Sequence, residues 1–463
     1  MNNAGDFLQR PNFLFIMTDQ HRFDYLSCAG SAFTDTNNID SIAQEGMRFS
    51  NCYTNSPVCA PARIALATGI QPFRLGVLDN YCYLPLSTPT YYQRLRDYGY
   101  RVGCVGKLDL SKPDGYIGFN GDRPCTYSFG FTHPHECEGK NRATMSCEPI
   151  GPYTSYLDRK NMLKTFHNNS KVRKREDTWF KAQNFNSVLD TEDYHDVYIG
   201  RKSEEWLRNI TTDHPFHLFV SFVGPHTPFE PPAEYWQRYK EVDVPEAIED
   251  NLESKPEWVK KLSCKYNVSA EQVPETRRRY AASIKVIDDM IGLIIDTLRE
   301  RNLLENTYII FTSDHGEMLG DYGLYTKHVA YEPSIHIPLI ISGPCIPKGQ
   351  VCNSMIELID LNPTICDLAG IPRIQGIDAK SFLQVLKREE IKHRSQIICS
   401  ERNFRCIRTD RYKYIENYND VSELYDLVED PCELNNISEK KADIVLDMKK
   451  CLKKRCMEGK WNR

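Results

Sequence analysis

The chain has 463 residues, of which 41% are hydrophobic and 26% are charged, as is typical of a globular protein with an extensive core. Its 58 Lys and Arg against 63 Asp and Glu give a formal net charge of −5, which excludes the strong basic excess of a general nucleic-acid-binding protein. No apolar run is long enough for a bilayer and no signal peptide is visible, so we expect a cytoplasmic protein without membrane contact, or a secreted or periplasmic one if a signal was removed.

Short apolar runs rich in Ile, Val and Phe predict buried parallel strands at residues 13–17, 100–105, 216–223, 308–312 and 337–341. Helical patterns lie between these runs, and residues 280–301 carry Ile and Leu side chains at helical spacing along one face. Alternating strands and helices predict an α/β fold around a mostly parallel central sheet that is flanked by helices.

The remaining segments are more polar. Residues 110–215 predict loops and insertions over the sheet, and residues 228–275 predict a further excursion of loop and helix. Beyond residue 370 the pattern changes to short antiparallel strands followed by a charged helix from about residue 439; the strands are predicted at residues 397–400, 404–409 and 412–416. We therefore divide the chain into a main domain, residues 1–370, and a smaller C-terminal α+β subdomain, residues 371–463.

Polar side chains directly follow four of the predicted strands. Because the carboxyl ends of parallel strands meet at one edge of a sheet, we expect these side chains to converge there. They are Asp19 and Gln20 after the first strand, Lys107 and Asp109 after the second, His226 after the third, and Asp314 and His315 after the fourth.

The segment 59–69 reads Cys-Ala-Pro-Ala-Arg-Ile-Ala-Leu-Ala-Thr-Gly. Pro61 suits a first helical turn, Arg63 lies one turn into the helix near Cys59, and free backbone N–H groups at a helix start attract an anion. A nucleophile, a guanidinium and an anion-binding helix end predict chemistry on a tetrahedral oxyanion. The alternative is that Cys59 is an inert buried cysteine.

Asp19, Asp314 and His315, with the amide oxygen of Gln20, predict a divalent-metal site. Oxygen ligands suit calcium or magnesium, and an imidazole shifts the preference toward manganese; we expect calcium, with manganese or magnesium as alternatives. A second group of metal-binding residue types has a spacing that fits no common zinc site and instead predicts a loop; it comprises His133, His135, Cys137 and Cys147.

The pattern Cys-x-Pro-x-Arg-x-x-x-x-Thr-Gly, which begins at Cys59, resembles the signature of the type I sulfatases. The resemblance implies an alkaline phosphatase-like fold, a sulfatase catalytic domain over residues 1–370, and oxidation of Cys59 to formylglycine by a maturation enzyme. It extends over most of the chain, because residues 320–332 and 423–435 are also similar to sulfatase segments.

The resemblance also implies roles for the polar residues. Asp19 and Gln20 stand where many relatives have two aspartates, and Asp314 and His315 stand where many have Asp-Asn; formylglycine 59 completes the metal shell. Lys107 and Lys327 would contact the sulfate oxygens, and His226 would bind or protonate near the leaving oxygen. Asp109 stands where many sulfatases have a histidine, which marks a different specificity.

We therefore predict hydrolysis of a sulfate ester to an alcohol and inorganic sulfate. The substrate would be a small molecule or an oligosaccharide, and we expect a sulfated carbohydrate. The metal, Arg63 and the two lysines would spread positive charge around the sulfuryl oxygens while one hydroxyl of hydrated formylglycine attacks sulfur. Either His315 or Asp19 would act as the base that releases sulfate.

Other functions remain open on the sequence. The same scaffold could hydrolyse phosphonate or phosphate esters, and the metal set with Gln20 and His315 keeps this reading open. A non-catalytic protein that binds sulfated glycans is a second alternative, although the nucleophile and every metal ligand are present. Choline sulfate or an aryl sulfate could also be the substrate.

Overall fold

A nine-stranded sheet forms the centre of the protein in a computed structural model that describes residues 10–175, 185–267 and 269–457. The strands lie in the order β4-β3-β5-β1-β6-β7-β2-β8, with β9 beside β2. Their bounds are β1 Asn12–Asp19, β2 Gly46–Tyr53, β3 Arg101–Gly106, β4 His133–Glu136, β5 Phe216–Pro225, β6 Thr307–Ser313, β7 His336–Ser342, β8 Gln350–Cys352 and β9 Ile356–Glu357.

The α-helices are, in chain order, α1 Asn37–Gln44, α2 Cys59–Thr68, α3 Pro72–Leu75, α4 Tyr91–Asp97, α5 Pro124–Ser128, α6 Lys140–Ala143, α7 Pro152–Arg159, α8 Leu163–Arg175, α9 His195–Asn209, α10 Ala233–Tyr239, α11 Glu257–Tyr266, α12 Val273–Glu300, α13 Glu332–Ile335, α14 Leu361–Leu368, α15 Leu383–Leu386 and α16 Ala442–Met457. Short 3₁₀ turns occupy Phe23–Tyr25, Ser27–Ala29, Thr191–Asp193, Ala270–Gln272, Leu304–Asn306, Asp321–Gly323 and Leu358–Asp360. No helix in the described ranges combines the length and apolarity of a membrane span.

Most neighbouring strands of the central sheet are parallel, as predicted. Strand β7 is the exception, because it pairs antiparallel with both β6 and β2. The prediction that residues 337–341 form a parallel strand is therefore wrong. A strand buried on both faces is a continuous apolar run in either direction, so its composition does not encode its orientation.

Helices cover both faces of the sheet because the side chains of β1 alternate between two cores. Leu14 and Ile16 pack in the core formed with helices α1, α9 and α12. Phe13 and Phe15 pack in the opposite core, with helices α2, α4 and α14. All eight residues of β1 are buried, so the strand is enclosed from both sides and its carboxyl end is held rigidly.

The insertion predicted as loops is more regular than its composition indicates. Residues 110–215 include β4 and several helices, of which α9 is the longest in the described part of this segment. One face of α9 is buried against the sheet through residues such as Tyr198, Ile199 and Leu207. The prediction of loops is wrong for α9, since the charged residues of its solvent face hid its apolar stripe. Residues 176–184 lie outside the described residues.

A smaller antiparallel sheet follows, with the order β10-β11-β12-β13. Its strands are β10 Gln396–Glu401, β11 Phe404–Thr409, β12 Tyr412–Asn417 and β13 Glu423–Asp426, of which the first three were predicted from the sequence. Helix α16 packs on this sheet through Met448 and Leu452. The predicted fold class, a mostly parallel α/β sheet with a small C-terminal antiparallel sheet, is confirmed.

Candidate active site

The predicted polar residues meet at the carboxyl edge of the central sheet. Asp19 ends β1, Lys107 follows β3, His226 follows β5, and Asp314 follows β6. Cys59 is the first residue of α2, which the chain enters soon after β2. Five separate elements therefore deliver side chains to one place, as the order of strands and polar residues predicted.

Four of these residues form a closely packed ring. Asp19, Cys59, Asp314 and His315 each offer one ligand atom, these atoms lie within 4.8 Å of one another, and all four residues are buried. The Sγ atom of Cys59 lies 3.1 Å from His315 Nε2 and 3.6 Å from Asp19 Oδ1. His315 Nδ1 lies 3.0 Å from the carbonyl oxygen of Gly316, to which it donates, so that Nε2 is directed toward the sulfur.

The ring fits a single divalent cation. Two carboxylates that are excluded from water and lie this close together repel each other unless a positive charge lies between them. The donor set of two carboxylates, one imidazole and residue 59 suits a metal that accepts oxygen and nitrogen ligands. Among the described residues, no second group of His, Cys, Asp or Glu has this arrangement, and the group around His133 does not form one.

Gln20 lies beside the ring with its side chain already engaged. Its Oε1 accepts a hydrogen bond of 2.5 Å from Lys327 Nζ, and its Nε2 donates to Glu317. Its backbone N–H donates to Asp314 Oδ1 at 3.0 Å. An amide oxygen has two lone pairs, so Oε1 retains one for a further partner. The role of Gln20 as a metal ligand stays a prediction.

Two buried lysines flank the ring. Lys107 Nζ forms ion pairs with Asp19 and, at 3.0 Å, with Asp109. Lys327 Nζ contacts Gln20 and lies 2.8 Å from His226 Nε2. Both lysines are at most 5% exposed, which is unusual for lysine unless it has a charged or functional partner. They are not the solvated surface cations that lysine residues usually are.

Positive charges around Cys59 change its chemistry. Burial alone would raise the pKa of the thiol, but nearby Lys107, Lys112, Lys327 and His315 lower it well below its ordinary value. By contrast, burial raises the pKa of Cys104, which has no such neighbours. Cys59 is thus electrostatically distinct from a structural buried cysteine, because its environment favours the thiolate.

Arg63 lies beneath the ring and connects several of the elements that form the site. Its Nε donates to Asp314 Oδ2 at 2.8 Å, and its Nη1 donates at 2.7 Å to both the Lys107 carbonyl oxygen and Ser221 Oγ. Its Nη2 is buried without a hydrogen-bond partner among the described residues, 4.0 Å from Asp19 Oδ2. Nε and Nη1 therefore bind neighbouring protein groups, and the two N–H groups of Nη2 remain for an anion.

The helix start contributes less than predicted. The backbone N–H of Ala60, at the beginning of α2, donates to Asn80 Oδ1 at 3.1 Å. This donor is occupied, so the expectation of free N–H groups there is wrong for Ala60, because a distant loop supplies the cap.

His226 has one nitrogen fixed and one directed into the site. Its Nδ1 lies 2.7 Å from the Thr227 carbonyl oxygen, to which it donates, and Nε2 faces Lys327. Burial, together with the Lys327 charge, lowers the pKa of His226 below its ordinary value. A neutral ring with an accepting Nε2 can exchange a proton with a neighbouring donor or with a bound alcohol oxygen.

A cavity of about 500 Å³ lies over this edge and is lined by Asp19, Lys107 and His226. Asp109, which is 9% exposed, also lines it and forms ion pairs with Lys107 and Lys112. The carboxylate at this position therefore neutralises part of the lysine charge beside Asp19.

The sequence reasoning missed several residues that shape the site. Ser221 fixes Arg63, and Glu317 accepts hydrogen bonds from Gln20, Leu319 and Thr326 while burial raises its pKa. Glu317 could have been found from the sequence, because it is an acidic residue shortly after the predicted ligands Asp314 and His315. No local signal marks Ser221, because it lies inside a strand and acts through a neighbouring element.

Comparisons with known proteins agree with this geometry. A family model described as Sulfatase matches residues 11–371, and one described as N-sulphoglucosamine sulphohydrolase, C-terminal, matches residues 320–458. The chain is 30% identical over 455 residues to a choline-sulfatase of Rhizobium meliloti, covering 93% of this chain and 83% of that protein. It is 28% identical over 468 residues to an N-acetylglucosamine-6-O-sulfatase of Bacteroides thetaiotaomicron, covering 93% and 83%.

Among solved structures, the phosphonate monoester hydrolase of Agrobacterium radiobacter superposes with a TM-score of 0.82 at 24% identity, over 96% of this chain and 95% of that one. At this identity the likeness supports the shared fold. The Sulfatase model covers more than three quarters of the chain and includes Cys59, Lys107, His226 and the Asp314-His315 pair. The chain belongs to the sulfatase family of the alkaline phosphatase-like superfamily and is a sulfuric ester hydrolase.

Proposed function

We propose that this protein hydrolyses the sulfate ester of a sulfated carbohydrate, with formylglycine derived from Cys59 as the nucleophile and one calcium ion in the ring. The observation that carries the proposal is the position of Cys59, whose Sγ lies within 4.8 Å of ligand atoms of Asp19, Asp314 and His315. A nucleophile beside the metal would attack the sulfur atom whose oxygens the metal and the lysines polarise.

Each side chain around the ring has a defined task in this proposal. A bound cation would be held by Asp19, Asp314, His315, residue 59 and the free lone pair of Gln20, and would supply charge neutralisation to the sulfuryl oxygens. Hydrated formylglycine would supply two hydroxyl groups, one for attack on sulfur and one whose collapse to the aldehyde would later release sulfate. Lys107 and Lys327 bind the remaining oxygens.

Lys327 and His226 together would protonate the oxygen of the leaving alcohol. Lys327 Nζ lies 2.8 Å from His226 Nε2, so the ammonium can place a proton on Nε2, and the same nitrogen can then donate it to the departing oxygen while Nδ1 stays bonded to the Thr227 carbonyl oxygen. Asp109 forms an ion pair with Lys107 and so helps to hold the ammonium group of that lysine beside Asp19.

The proposal also retains the division into a catalytic domain, residues 1–370, and a C-terminal subdomain, residues 371–463.

Aromatic side chains at the cavity mouth favour a sugar as the alcohol. Tyr81 lines the cavity and is 85% exposed. Tyr116 and Phe119, beside the lining residues Gly115 and Ile117, are also more than half exposed, with ring centroids 5.6 Å apart. Exposed aromatic groups at a cavity mark a binding surface, and their faces suit the apolar face of a sugar ring.

The test is release of inorganic sulfate from defined sulfated mono- and disaccharides by protein that was produced together with a formylglycine-generating maturation enzyme. Cys59→Ala is expected to abolish turnover and to leave the thermal unfolding temperature close to that of the parent. Mass spectrometry of the peptide that contains residue 59 reports conversion of the cysteine. Full activity of Cys59→Ala would contradict the proposed nucleophile.

Metal identity is tested separately. Chelation is expected to remove activity, and stoichiometric calcium is expected to restore it better than manganese or magnesium, with the bound ion measured by elemental analysis. Full restoration by manganese alone would replace calcium in the proposal.

A phosphonate or phosphate ester is the alternative substrate. Sulfate, phosphate and phosphonate esters share a tetrahedral geometry, so we expect measurable but slower turnover of the phosphorus compounds at the same site. Parallel measurement of kcat/KM on aryl sulfate, phosphate and phosphonate esters decides between them. A higher value for the phosphonate would reassign the main reaction.

A further inference from the structure

Five lysine and arginine side chains line the active-site cavity, and three of them form ion pairs with carboxylates of the same lining. Lys107 pairs with Asp19 and Asp109, and Lys112 also pairs with Asp109. Arg123 pairs with Glu136 at 2.7 Å and with Asp114 at 3.1 Å. The remaining two are Lys140 and Arg142, which both lie on helix α6 and both line the cavity.

Lys140 is a buried cation without a carboxylate partner. It is 4% exposed, and its Nζ donates one hydrogen bond of 3.0 Å to Tyr194 Oη. No carboxylate of the described residues lies within 4.0 Å of this ammonium. Asp196 is a nearby acid, and Lys140 lowers its pKa against the effect of burial. Its Oδ1 accepts the backbone N–H groups of Val223 and Gly224 at 2.9 Å each, and its Oδ2 has no hydrogen-bond partner among the described residues, so it forms no direct ion pair with Lys140. A buried lysine in this condition is rare unless an anion binds it.

Arg142 lies on the same wall and is also without an ion pair among the described residues. Its half-buried guanidinium lies across Gly115, where any side chain would collide with it. Between the two cations, the side-chain oxygen of Asn141 is buried and has no hydrogen-bond partner in the described part of the chain. The wall thus offers cationic donors and one acceptor to a ligand.

Glu138, the acid of the cavity lining that has no ion pair with a described residue, is directed elsewhere. Glu138 accepts the backbone N–H groups of Tyr153 and Thr154, at 3.2 Å and 3.0 Å, and so caps helix α7. Burial raises the pKa of Glu138 above its ordinary value. It does not neutralise Lys140.

This wall adjoins the proposed sulfate position. A Cβ atom on Gly139 would lie 3.4 Å from Cδ and Cε of Lys107, so the backbone directly before Lys140 packs against the stem of that lysine. One ligand in the cavity can therefore contact Lys107 and the α6 wall together.

We infer that Lys140 and Arg142 form a second anion-binding subsite, so that the preferred substrate carries a carboxylate or a second sulfate besides the sulfate that is cleaved. This inference rests on the proposed function and specifies its substrate class. It also implies discrimination against choline sulfate, because the trimethylammonium group of that compound would face two cations.

The experiment measures binding by calorimetry to Cys59→Ser protein, which cannot turn the ligands over. The ligands are N-acetylglucosamine 6-sulfate with one anion, glucosamine 2-N,6-O-disulfate with two sulfates, a 6-sulfated hexosamine linked to glucuronate, and choline sulfate. We expect at least one of the two doubly anionic sugars to bind at least tenfold more tightly than the monosulfated sugar. Choline sulfate is expected to bind most weakly. The tighter of the two identifies the source of the second anion.

Variants of the wall locate the effect. Arg142→Gln and Lys140→Met, each in the Cys59→Ser background, are expected to reduce the tenfold preference to less than threefold while the affinity for the monosulfated sugar changes less than twofold. Arg142 is half-exposed, so Arg142→Gln keeps the test decisive if the buried Lys140→Met protein fails to fold. Lys202→Gln on the surface of α9 is the matched control, with no change expected.

Equal affinities of the parent for singly and doubly anionic sugars, including no measurable binding of any of them, would overturn the subsite. A preference that survives both wall variants would also overturn it. The proposed function is judged independently by sulfate release from the formylglycine-containing enzyme, so hydrolysis without a preference for a second anion rejects the subsite alone.

Discussion

Arg63 shows how one residue type is required by geometry rather than by charge alone. Its planar fork reaches Asp314, the Lys107 carbonyl oxygen and Ser221 at once. A lysine has a single ammonium group and cannot span these acceptors. The residue therefore links the strand that carries Asp314 to the one that carries Ser221.

We predict that Arg63→Lys lowers kcat/KM by about 100-fold or more, because the loss of two buried charged hydrogen bonds costs roughly 1.5–3 kcal/mol each. Steady-state sulfate release and thermal unfolding measure the two consequences. Arg373→Lys is the matched control, since Arg373 also holds an aspartate through two nitrogens but is exposed. An Arg63→Lys enzyme with activity near that of the control would show that the fork is dispensable.

Asp196 gives a prediction about pH. Burial raises the pKa of its carboxyl group from 3.8 to about 6, against the opposing effect of Lys140 and of the backbone N–H groups of Val223 and Gly224. Between these values the folded state holds a proton that the unfolded state has lost. The contribution of Asp196 to stability therefore falls as the pH rises from about 4 to about 6.

We predict that Asp196→Asn gains stability relative to the parent as the pH rises from 4 to 7, by up to about 3 kcal/mol for a shift of roughly two pKa units. Urea unfolding at several pH values measures this difference. The comparison uses the slope with pH, so a constant cost of the amide group does not affect it. A stability difference that stays the same across this range would contradict the prediction.

At the scale of elements, the packing of the end of β3 against β5 requires a glycine. Gly106 has φ of 107°, and a Cβ atom there would collide with the backbone carbonyl oxygen of Ser221 on β5. This close approach positions Lys107, which follows directly. We predict that Gly106→Ala destabilises the protein by more than about 3 kcal/mol, because backbone strain and steric overlap add together.

Gly76→Ala provides the comparison for Gly106→Ala. Gly76 has φ of 71°, but the space around its Cα is open. Only the backbone term applies there, which is about 1–2 kcal/mol. Equal losses in the unfolding free energy of the two variants would show that the contact with β5 has no energetic consequence.

The elements that could be predicted were those whose signal is local. The apolar runs of β1, β3, β5 and β6 were recognised because buried parallel strands have continuous apolar sequences. Strand β2 was missed because Arg48, Ser50 and Asn51 interrupt its apolar residues. The direction of β7 could not be predicted, since it depends on the path of the connection from β6.

The same division holds for the site. Residues that directly follow a strand could be predicted to meet, because sheet topology brings the strand ends together. Lys140 and Arg142 could not, since they lie on a short helix whose place over the cavity depends on packing between distant segments. The sequence spacing of such residues carries no information about the distance between them.

At the scale of the whole molecule, the small C-terminal sheet is fastened to the active-site connection between β6 and β7. Lys413 on β12 is fully buried and lies 2.7 Å from both Glu332 and Glu433. Its Nζ also donates to the Ala330 carbonyl oxygen at 3.0 Å. Glu332 and Ala330 follow Lys327 within a few residues, so the C-terminal sheet supports the loop that carries this lysine.

We predict that Lys413→Met lowers the free energy of unfolding by about 3–5 kcal/mol, because it leaves the buried carboxylate of Glu433 without its cation and Glu332 with Arg408 as its remaining partner. It should also reduce turnover through the displaced Lys327 loop. Lys392→Met serves as the control, because Lys392 forms an exposed ion pair of 2.9 Å with Asp410, a type of contact that contributes less than about 1 kcal/mol. Unfolding in urea that does not distinguish the two variants would contradict this linkage.

The loop that leads into Cys59 is completed by the last part of the chain. Asn55 donates from Nδ2 to the Ile398 carbonyl oxygen at 3.2 Å, and the Ser400 N–H donates to the Asn55 carbonyl oxygen at 3.0 Å. During translation, Cys59 thus leaves the ribosome long before its neighbours on β10 exist. At roughly 5–20 residues per second, the delay is on the order of 20–70 seconds. We therefore expect a thiol that is buried in the finished enzyme to be accessible on the nascent chain to the maturation enzyme that the proposed function requires.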